Sequence, residues 1–352
     1  MSYLEEAKTK YDALRTKKEV LILSVESSCD ETAIALVQNG RKVISNIVSS
    51  QIDIHKLYGG VVPEIASRNH IKNISGVLNE ALESAGKTLA DVDAVAVTYG
   101  AGLMGALLVG VNFAKTLAYA MNVPLIAVSH VHGHIGANYI SYEDLKPPFL
   151  CLMVSGGHTA IIDVKDYCDF KLLGSTVDDS VGECFDKVAR VLGLPYPGGP
   201  AIDRLAKEGQ NVVKFNYKTP LPGTFNFSFS GLKTAVVNFV HNKEQKGESF
   251  SKEDIACTFQ EIVTEELSEK AVAACKKFGH KKLVIAGGVG ANARLREKLS
   301  ARCKENGIEC FMPVLKFCTD NAAMIGSIAY YYIKAGLGLA DLTLTAKPTV
   351  GI

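Results

Sequence analysis

Short apolar runs recur along the chain, each closed by a turn of small polar residues. Val20-Leu-Ile-Leu-Ser-Val25 leads into Glu26-Ser-Ser-Cys-Asp30 and then into a second run, Glu31-Thr-Ala-Ile-Ala-Leu-Val37. Phe149-Leu-Cys-Leu-Met-Val154, Ser155-Gly-Gly-His158 and Thr159-Ala-Ile-Ile-Asp-Val164 repeat that plan, down to the Thr-Ala-Ile near the start of each second run. Runs of this length between turn formers predict buried strands joined as hairpins. Two matching hairpins, each followed by helical and further strand segments, predict two similar α/β lobes facing one another across a cleft. Lys146-Pro147-Pro148 is the natural joint between them, because consecutive prolines continue neither kind of element.

Further segments carry candidate chemistry. The Ser/Gly/Asp turns of the two hairpins crowd backbone N–H groups together and let a phosphate approach closely. Leu283-Val-Ile-Ala286 runs through Gly287-Gly-Val-Gly-Ala-Asn292 into a helix predicted over Ala293 to Ala301. A helix N-terminus and the Asn292 amide would then face the same ligand space. The Gly287 element is not G-x-G-x-x-G at a Rossmann position, and G-x-x-x-x-G-K-[ST] does not occur in the chain, which argues against NAD there and against a P-loop. Asp178 to Lys187 places Glu183 and Asp186 three apart on one helical face. Pro195-Tyr-Pro-Gly-Gly-Pro200 then turns the chain into a helix bearing Asp203, a carboxylate suited to sugar hydroxyls. Phe225-Asn-Phe-Ser-Phe-Ser230 alternates aromatic and small polar residues and reads as a strand with one face in the core, its other face either lining a cleft or simply part of a core strand.

Pro124-Leu-Ile-Ala-Val-Ser129 reads as a buried strand feeding directly into His130-Val-His-Gly-His134. His130 and His134, four apart on a helix, share a face and are able to share a metal ion. His132 points elsewhere on a regular helix and would join them only through a distorted turn. A carboxylate arriving from the distant Thr319-Asp320-Asn321 would complete three ligands and leave positions open for substrate, as a catalytic metal requires. The edge where strand becomes helix is also where open α/β sheets bind ligands.

With 352 residues and a formal net charge of +1, the chain has no global field to draw nucleic acid. A polynucleotide would be held by local patches such as Lys276-Lys277 with Lys281-Lys282, or by another subunit. Nine cysteines without a C-x-x-C pair fit a reducing cytosol better than a disulfide framework or a zinc ribbon. Ala94 to Ala114 carries no charge, yet Gly100, Gly102, Gly105 and Gly110 punctuate it. Strand, turn and buried helix are expected there rather than a membrane span. Residues 1–18 mix Glu5, Glu6 and Asp12 with lysines, and read as a helical extension rather than a signal or transit peptide.

Taken in order, Glu26-Ser-Ser-Cys-Asp-Glu31, His130-x-x-x-His134, Val154-Ser-Gly-Gly-His158, Gly182-Glu-x-Phe-Asp186-Lys187, Tyr196-Pro-Gly-Gly-Pro200, Phe229-Ser-Gly-Leu-Lys-Thr234, Gly287-Gly-Val-x-Ala-Asn292 and Asp320-Asn-Ala-Ala form one constellation. It closely resembles that of the TsaD family, the tRNA adenosine threonylcarbamoyltransferases of the actin, sugar-kinase and Hsp70 (ASKHA) superfamily. The resemblance runs from Val20 to the C-terminus. It implies a duplicated α/β fold, which after the extension at 1–18 divides into a first lobe at 19–148, rejoined by the C-terminal helix 320–352, and a second lobe at 149–319.

The same resemblance implies one divalent ion, Fe2+ or Zn2+, on a catalytic set of His130, His134 and Asp320, with Mg2+ accompanying bound nucleotide. It implies that the adenylate substrate meets Met153, Val154, Ser155, Gly156, Gly157, Asp186, Gly199, Asp203 and Asn292. The implied reaction moves threonylcarbamoyl from threonylcarbamoyl-AMP to the exocyclic amine of the adenosine 3′ of the anticodon, in tRNAs reading codons that start with A. Bacterial members, which this chain resembles most, work in the cytoplasm with an inactive heterodimer-forming paralogue (TsaB-like) and a small P-loop ATPase (TsaE-like), and not at a membrane. The chain departs from the family pattern at Ala101, where Gly-Pro-Gly is common, at His132, where an acid is frequent, and in residues 1–18.

Other classes share parts of the pattern. A metalloprotease needs H-E-x-x-H, and residue 131 is valine. An ASKHA-type ATPase or small-molecule kinase would use the same phosphate turns with Glu26, Asp30 or Glu31 as general base, but has no use for a His/His/Asp set. A noncatalytic scaffold would have lost those ligands. Because the implied donor is an activated mixed anhydride, no covalent nucleophile is required, and the expected catalysis is positioning of a poor amine nucleophile.

Overall fold

The computed structural model describes residues 3–218 and 221–351. An N-terminal helix α1 (Tyr3–Leu14) precedes a sheet built from β1 (Leu21–Glu26), β2 (Glu31–Gln38), β3 (Lys42–Ser50), β4 (Ala94–Gly100) and β5 (Leu125–Ser129). Between and after these strands come α2 (Ile52–Lys56), α3 (Pro63–Ala85), α4 (Met104–Met121) and α5 (His130–Ser141). A second sheet holds β6 (Phe149–Val154), β7 (Thr159–Asp166), β8 (Asp169–Ser175), β9 (Lys282–Ala286) and β10 (Glu309–Phe311). Its helices are α6 (Val181–Val191), α7 (Gly198–Leu205), α8 (Ser230–Gln245), α9 (Lys252–Phe278) and α10 (Ala293–Glu305). The chain ends with α11 (Ala322–Ala335) and the short β11 (Leu339–Ala340), which pairs with β5.

The two sheets repeat one topology. The first runs β3-β2-β1-β4-β5 and the second β8-β7-β6-β9-β10, with an antiparallel hairpin leading and a parallel strand added beside it. Most of these strands bury both faces, which is why they read as continuous apolar runs. In β1, Ile22 faces inward while Leu23 and Val25 face α3 and α4; in β6, Cys151 and Met153 face inward while Leu152 and Val154 face the helices of the second lobe. The inward faces share one middle layer, filled by α5 and α11.

Glycines on α5 allow that layer to be thin. A Cβ at Gly136 would lie 2.8 Å from the Met324 carbonyl oxygen, and one at Gly133 would lie 2.6 Å from Ile325 Cδ1. The end of the chain is thereby pressed directly against the histidine helix.

The described part of the N-terminal extension, residues 3–18, now has a place. Ala7, Tyr11 and Leu14, one helical stripe of α1, are buried. Tyr3 Oη donates to the Val123 carbonyl (2.9 Å), Tyr11 Oη donates to the Leu337 carbonyl (2.7 Å), and Lys334 Nζ donates to the Leu14 carbonyl (2.9 Å). The helix straps the corner after α4 to the corner after α11. By length and composition α4 alone among the described helices could cross a membrane; here it lies against β4 and α3 with Ala106, Leu107, Gly110, Val111, Ala114 and Ala118 buried.

One expected strand is absent. Phe225 to Phe229 forms only an isolated bridge, Phe227 to Thr176, and α8 starts at Ser230. Phe227 and Phe229 are fully buried, so the alternation was a true burial signal. What replaces the ladder is a carboxylate: Asp178 accepts from the Phe229 N–H (2.8 Å) and from the hydroxyls of Ser228 and Ser230 (2.6 Å for Ser230).

Candidate metal centre and substrate cleft

His130 opens α5 directly after β5, so its side chain stands at the C-terminal edge of the first sheet. One turn on, His134 shares its face, and the imidazoles meet edge to face with centroids 4.6 Å apart. Asp320 comes from the turn before α11, where Asn321 caps the helix by accepting from the Met324 N–H (3.1 Å). Asp320 Oδ1 lies 3.5 Å from His130 Nε2 and 3.3 Å from His134 Nε2. The three ligand atoms all fall within 4.8 Å of one another.

The cluster fits a metal ion on its own chemistry. Both ring nitrogens of His134 are buried without a hydrogen-bond partner among the described residues, and the approach of Asp320 lacks hydrogen-bond geometry. Buried imidazole nitrogens are normally satisfied. Two imidazoles and a carboxylate form a nitrogen and oxygen donor set suited to zinc or iron, with room for substrate. The local field also favours a cation. Burial disfavours charge on His130, yet Asp320 and Glu26 outweigh it and raise its pKa to about 9. Burial likewise opposes charge on Asp320, but His130 and His134 draw its carboxyl down to about 2.

His132 is excluded from this cluster. It turns to the other side of α5, stacks on Phe170 (centroids 4.1 Å) and bonds the Tyr332 hydroxyl through Nδ1 (2.5 Å), and burial lowers its pKa to about 4.

Beside the His130, His134 and Asp320 cluster the lobes enclose a cleft of about 570 Å³. Ser155, Gly156, Gly157, Asp186, Gly199, Asp203 and Asn292 all line it, together with His130 and Asp320. Gly156 and Gly157 present nothing but open space where a Cβ would stand. Their turn is braced from behind by α6, whose Gly182 N–H donates to the Ser155 carbonyl (3.2 Å), while Ser180 Oγ donates to the Gly156 carbonyl. Gly287, at φ +94°, carries the chain past the Val154 carbonyl where a Cβ would approach to 2.4 Å. Asp186 accepts from the Gly198 N–H (2.7 Å) and so shapes the Gly198-Gly199 turn; burial, the largest influence on it, raises its pKa. Asp203 Oδ1 is buried with no partner among the described residues, an acceptor waiting for a hydroxyl.

Other expected contacts land differently. Met153 and Val154 do not line the cleft; both are wholly buried in β6, one facing the middle layer and one the second-lobe helices. Strand alternation sends their side chains to the two core faces before the turn begins. Asn292 reaches the cleft, but its amide is engaged: Oδ1 accepts from the Leu295 N–H (2.9 Å) as the α10 cap, and Nδ2 donates to Gln260 Oε1 (2.8 Å). Glu183, on the same face as Asp186, is a solvated partner of Lys187 (2.8 Å). The lysines around Lys282 sit at the start of β9, whereas the cleft lies beyond its other end, so they do not line the cleft itself.

Sequence reasoning overlooked Glu26 as a neighbour of His130, and also His158 and Tyr196. His158 lines the cleft, with its pKa lowered to about 4 by burial and then by His130 and His134. Tyr196 Oη reaches across the lobes to Asp30 Oδ2 (3.5 Å). A carboxylate closing an otherwise apolar strand was the available signal for Glu26. Its commitment to His130, 3.1 Å away, also removes it as the general base of a kinase.

A duplicated sheet with a ligand cleft between its halves places the protein in the actin-like, ASKHA fold class. Solved structures agree at the level of fold: full-length HypF in its phosphate- and nucleotide-bound form (TM-score 0.59, 17% identity, 91% of this chain) and HypF of T. kodakarensis (0.59, 15%, 94%). This chain spans 47% and 50% of those two chains. The activator of 2-hydroxyisocaproyl-CoA dehydratase from Clostridium difficile, with bound ADPNP, is similar at 0.51 and 12% identity over 90% of this chain and 97% of that one. Residues 42–327 match the family described as TsaD, tRNA N6-adenosine threonylcarbamoyltransferase. Relatives bearing that name include one from Clostridium perfringens, 54% identical over 94% of this chain and 97% of its own length, and one from Clostridium botulinum, 55% identical over 95% and 99%. The chain belongs to the TsaD family.

Proposed function

We propose that this protein transfers the threonylcarbamoyl group of threonylcarbamoyl-AMP to the exocyclic amine of the adenosine 3′ of the anticodon, in tRNAs reading codons that begin with A. The observation that carries the reading is the cluster of His130, His134 and Asp320, two of which, His130 and Asp320, line the cleft that holds the Ser155 to Gly157 turn and Asp203. Family membership supplies the reaction class, and the cleft supplies groups for each part of the donor.

Residues of this chain act chiefly by placement. The exposed Gly156-Gly157 turn offers backbone N–H groups to the adenylate phosphate, where negative charge grows as the anhydride opens. Asp203 Oδ1 accepts from a ribose hydroxyl, and Asp186 keeps the Gly198-Gly199 turn in shape beneath the nucleoside. His130, His134 and Asp320 would hold Fe2+ or Zn2+, which when bound supplies a Lewis acid for carbonyl and carboxylate oxygens. Mg2+ accompanies nucleotide. With AMP as leaving group the enzyme needs no covalent nucleophile; holding amine and carbonyl at attack distance provides the main acceleration.

In this reading the protein works in the cytoplasm with tRNA, an inactive paralogue and a small P-loop ATPase. All nine cysteines are free thiols, in keeping with a reducing compartment. The test is mass spectrometry of tRNA nucleosides after incubation with preformed donor, with and without the partner proteins and a chelator. Threonylcarbamoyladenosine that forms only with this protein present supports the proposal. Its absence under every combination refutes it.

A further inference from the structure

Glu26 ends β1 with a side chain that is fully buried, at 0% exposure. An ionised carboxylate in that position is costly unless its oxygens are satisfied. Its partners come from the ends of the neighbouring parallel strands. Oε1 accepts from the Ser28 N–H (2.6 Å), and Oε2 accepts from Thr98 Oγ1 on β4 (2.6 Å) and faces His130 Nδ1, just beyond β5, at 3.1 Å; Ser28 Oγ stands 3.1 Å from the same nitrogen, where its oxygen shares the ring N–H with the carboxylate. The only ion pair Glu26 makes among the described residues is with His130. No lysine or arginine compensates it, so this buried charge is set against one imidazole.

From this geometry we infer that Glu26 is a positioning residue for the metal centre. It accepts the Nδ1 proton of His130 and thereby leaves the Nε2 lone pair free. It also holds the ring so that Nε2 points toward Asp320 Oδ1 and His134 Nε2. The inference rests on the metal reading of the His130, His134, Asp320 cluster. An ionised carboxylate only accepts hydrogen bonds, so the proton of a neutral imidazole beside it belongs on Nδ1. His134 has no such partner at Nδ1 among the described residues. The centre is therefore asymmetric, with one ligand locked by a buried acid and the other not. Thr98 and the Ser28 amide hold Glu26 in turn.

Glu26→Gln keeps the shape but reverses the chemistry. The Ser28 N–H requires the amide oxygen on its side, which turns the NH₂ toward His130. That group donates to Nδ1 and moves the imidazole proton to Nε2, where it blocks the metal. Thr98→Val removes one of the carboxylate's hydrogen bonds while leaving Glu26 opposite His130.

The experiment uses the full chain stripped by a chelator and titrated with Zn2+ or Co2+ against a chromophoric competitor, with melting curves for each variant. The expected result is that E26Q stays folded yet loses about 10- to 100-fold in metal affinity, the usual effect of removing an orienting partner, while T98V, which loosens Glu26 but leaves its carboxylate opposite His130, loses clearly less. Nitrogen-15 NMR of the zinc-loaded wild type should show His130 protonated at Nδ1 and ligating through Nε2, a readout that does not depend on E26Q folding. Wild-type affinity in folded E26Q, equal losses in E26Q and T98V, or ligation through Nδ1 would each overturn the inference while leaving the metal site standing. A wild-type chain that takes up no ion would overturn the metal reading itself.

Discussion

Gly136→Ala tests whether the thin contact between α5 and α11 sets the metal geometry. The new Cβ would stand 2.8 Å from the Met324 carbonyl oxygen and 2.7 Å from Ile328 Cγ1, where ordinary contact begins near 3.4 Å. Ile328 can turn its side chain, but the carbonyl is backbone, so α11 must retreat by about 0.6 Å. Overpacking of this kind costs about 1–3 kcal/mol, and replacing a helical glycine with alanine returns about 1 kcal/mol. For 352 residues the entropy of melting is roughly 0.7 kcal/mol/K, so the melting temperature should fall by no more than about 3 °C. Metal binding is far less tolerant. Ligand distances hold within about 0.2 Å of their ideal values, and Asp320 sits four residues before Met324 on the displaced segment. The variant should thus be nearly as stable as the wild type yet bind Zn2+ at least about 10-fold more weakly, a loss of about 1.4 kcal/mol. Calorimetric melting and competition titration check both halves. A variant with unchanged zinc affinity would refute the idea that this helix contact places the carboxylate.

The other predictions address single groups. His134→Ala should abolish transfer from preformed donor while the protein stays folded; nucleoside mass spectrometry showing wild-type turnover would remove the metal from the mechanism. Asp203→Asn should weaken adenylate binding about 10-fold, since a charged acceptor gives a hydrogen bond of roughly 1.5 kcal/mol or more, and equal affinity in calorimetry would strip Asp203 of its ribose role. Asp178→Ala should loosen the start of α8 by about 1–3 kcal/mol. Burial works to raise the Asp178 pKa, but hydrogen bonds from Ser228, Ser230 and Phe229 outweigh it and lower it overall. A folded-state pKa below the unfolded one means this stabilisation is complete above the ordinary carboxylate range and fades as pH falls through the lowered value. Melting curves of wild type and variant should therefore converge in acid, and a gap that persists there would contradict the argument.

Local pattern was enough for much of this protein. Apolar runs bounded by turns marked β1, β2, β6 and β7, because a strand buried on both faces has no polar face to disguise it. The spacing of His130 and His134 put them on one helical face, and Asn292 announced the start of α10, since both depend on geometry within a single turn. Tertiary structure decided the rest. Only the shared middle layer shows why Asp320 meets a helix 190 residues earlier in the chain, through contacts that glycines on α5 leave room for. Only packing shows that Met153 and Val154 serve the core, that the Asn292 amide is engaged by its own helix and by Gln260 of α9, and that Glu26 answers His130 across three strands. A residue's spacing fixes its neighbours along one element, whereas its partner across elements depends on strand order and layer thickness, which no local stretch of sequence encodes.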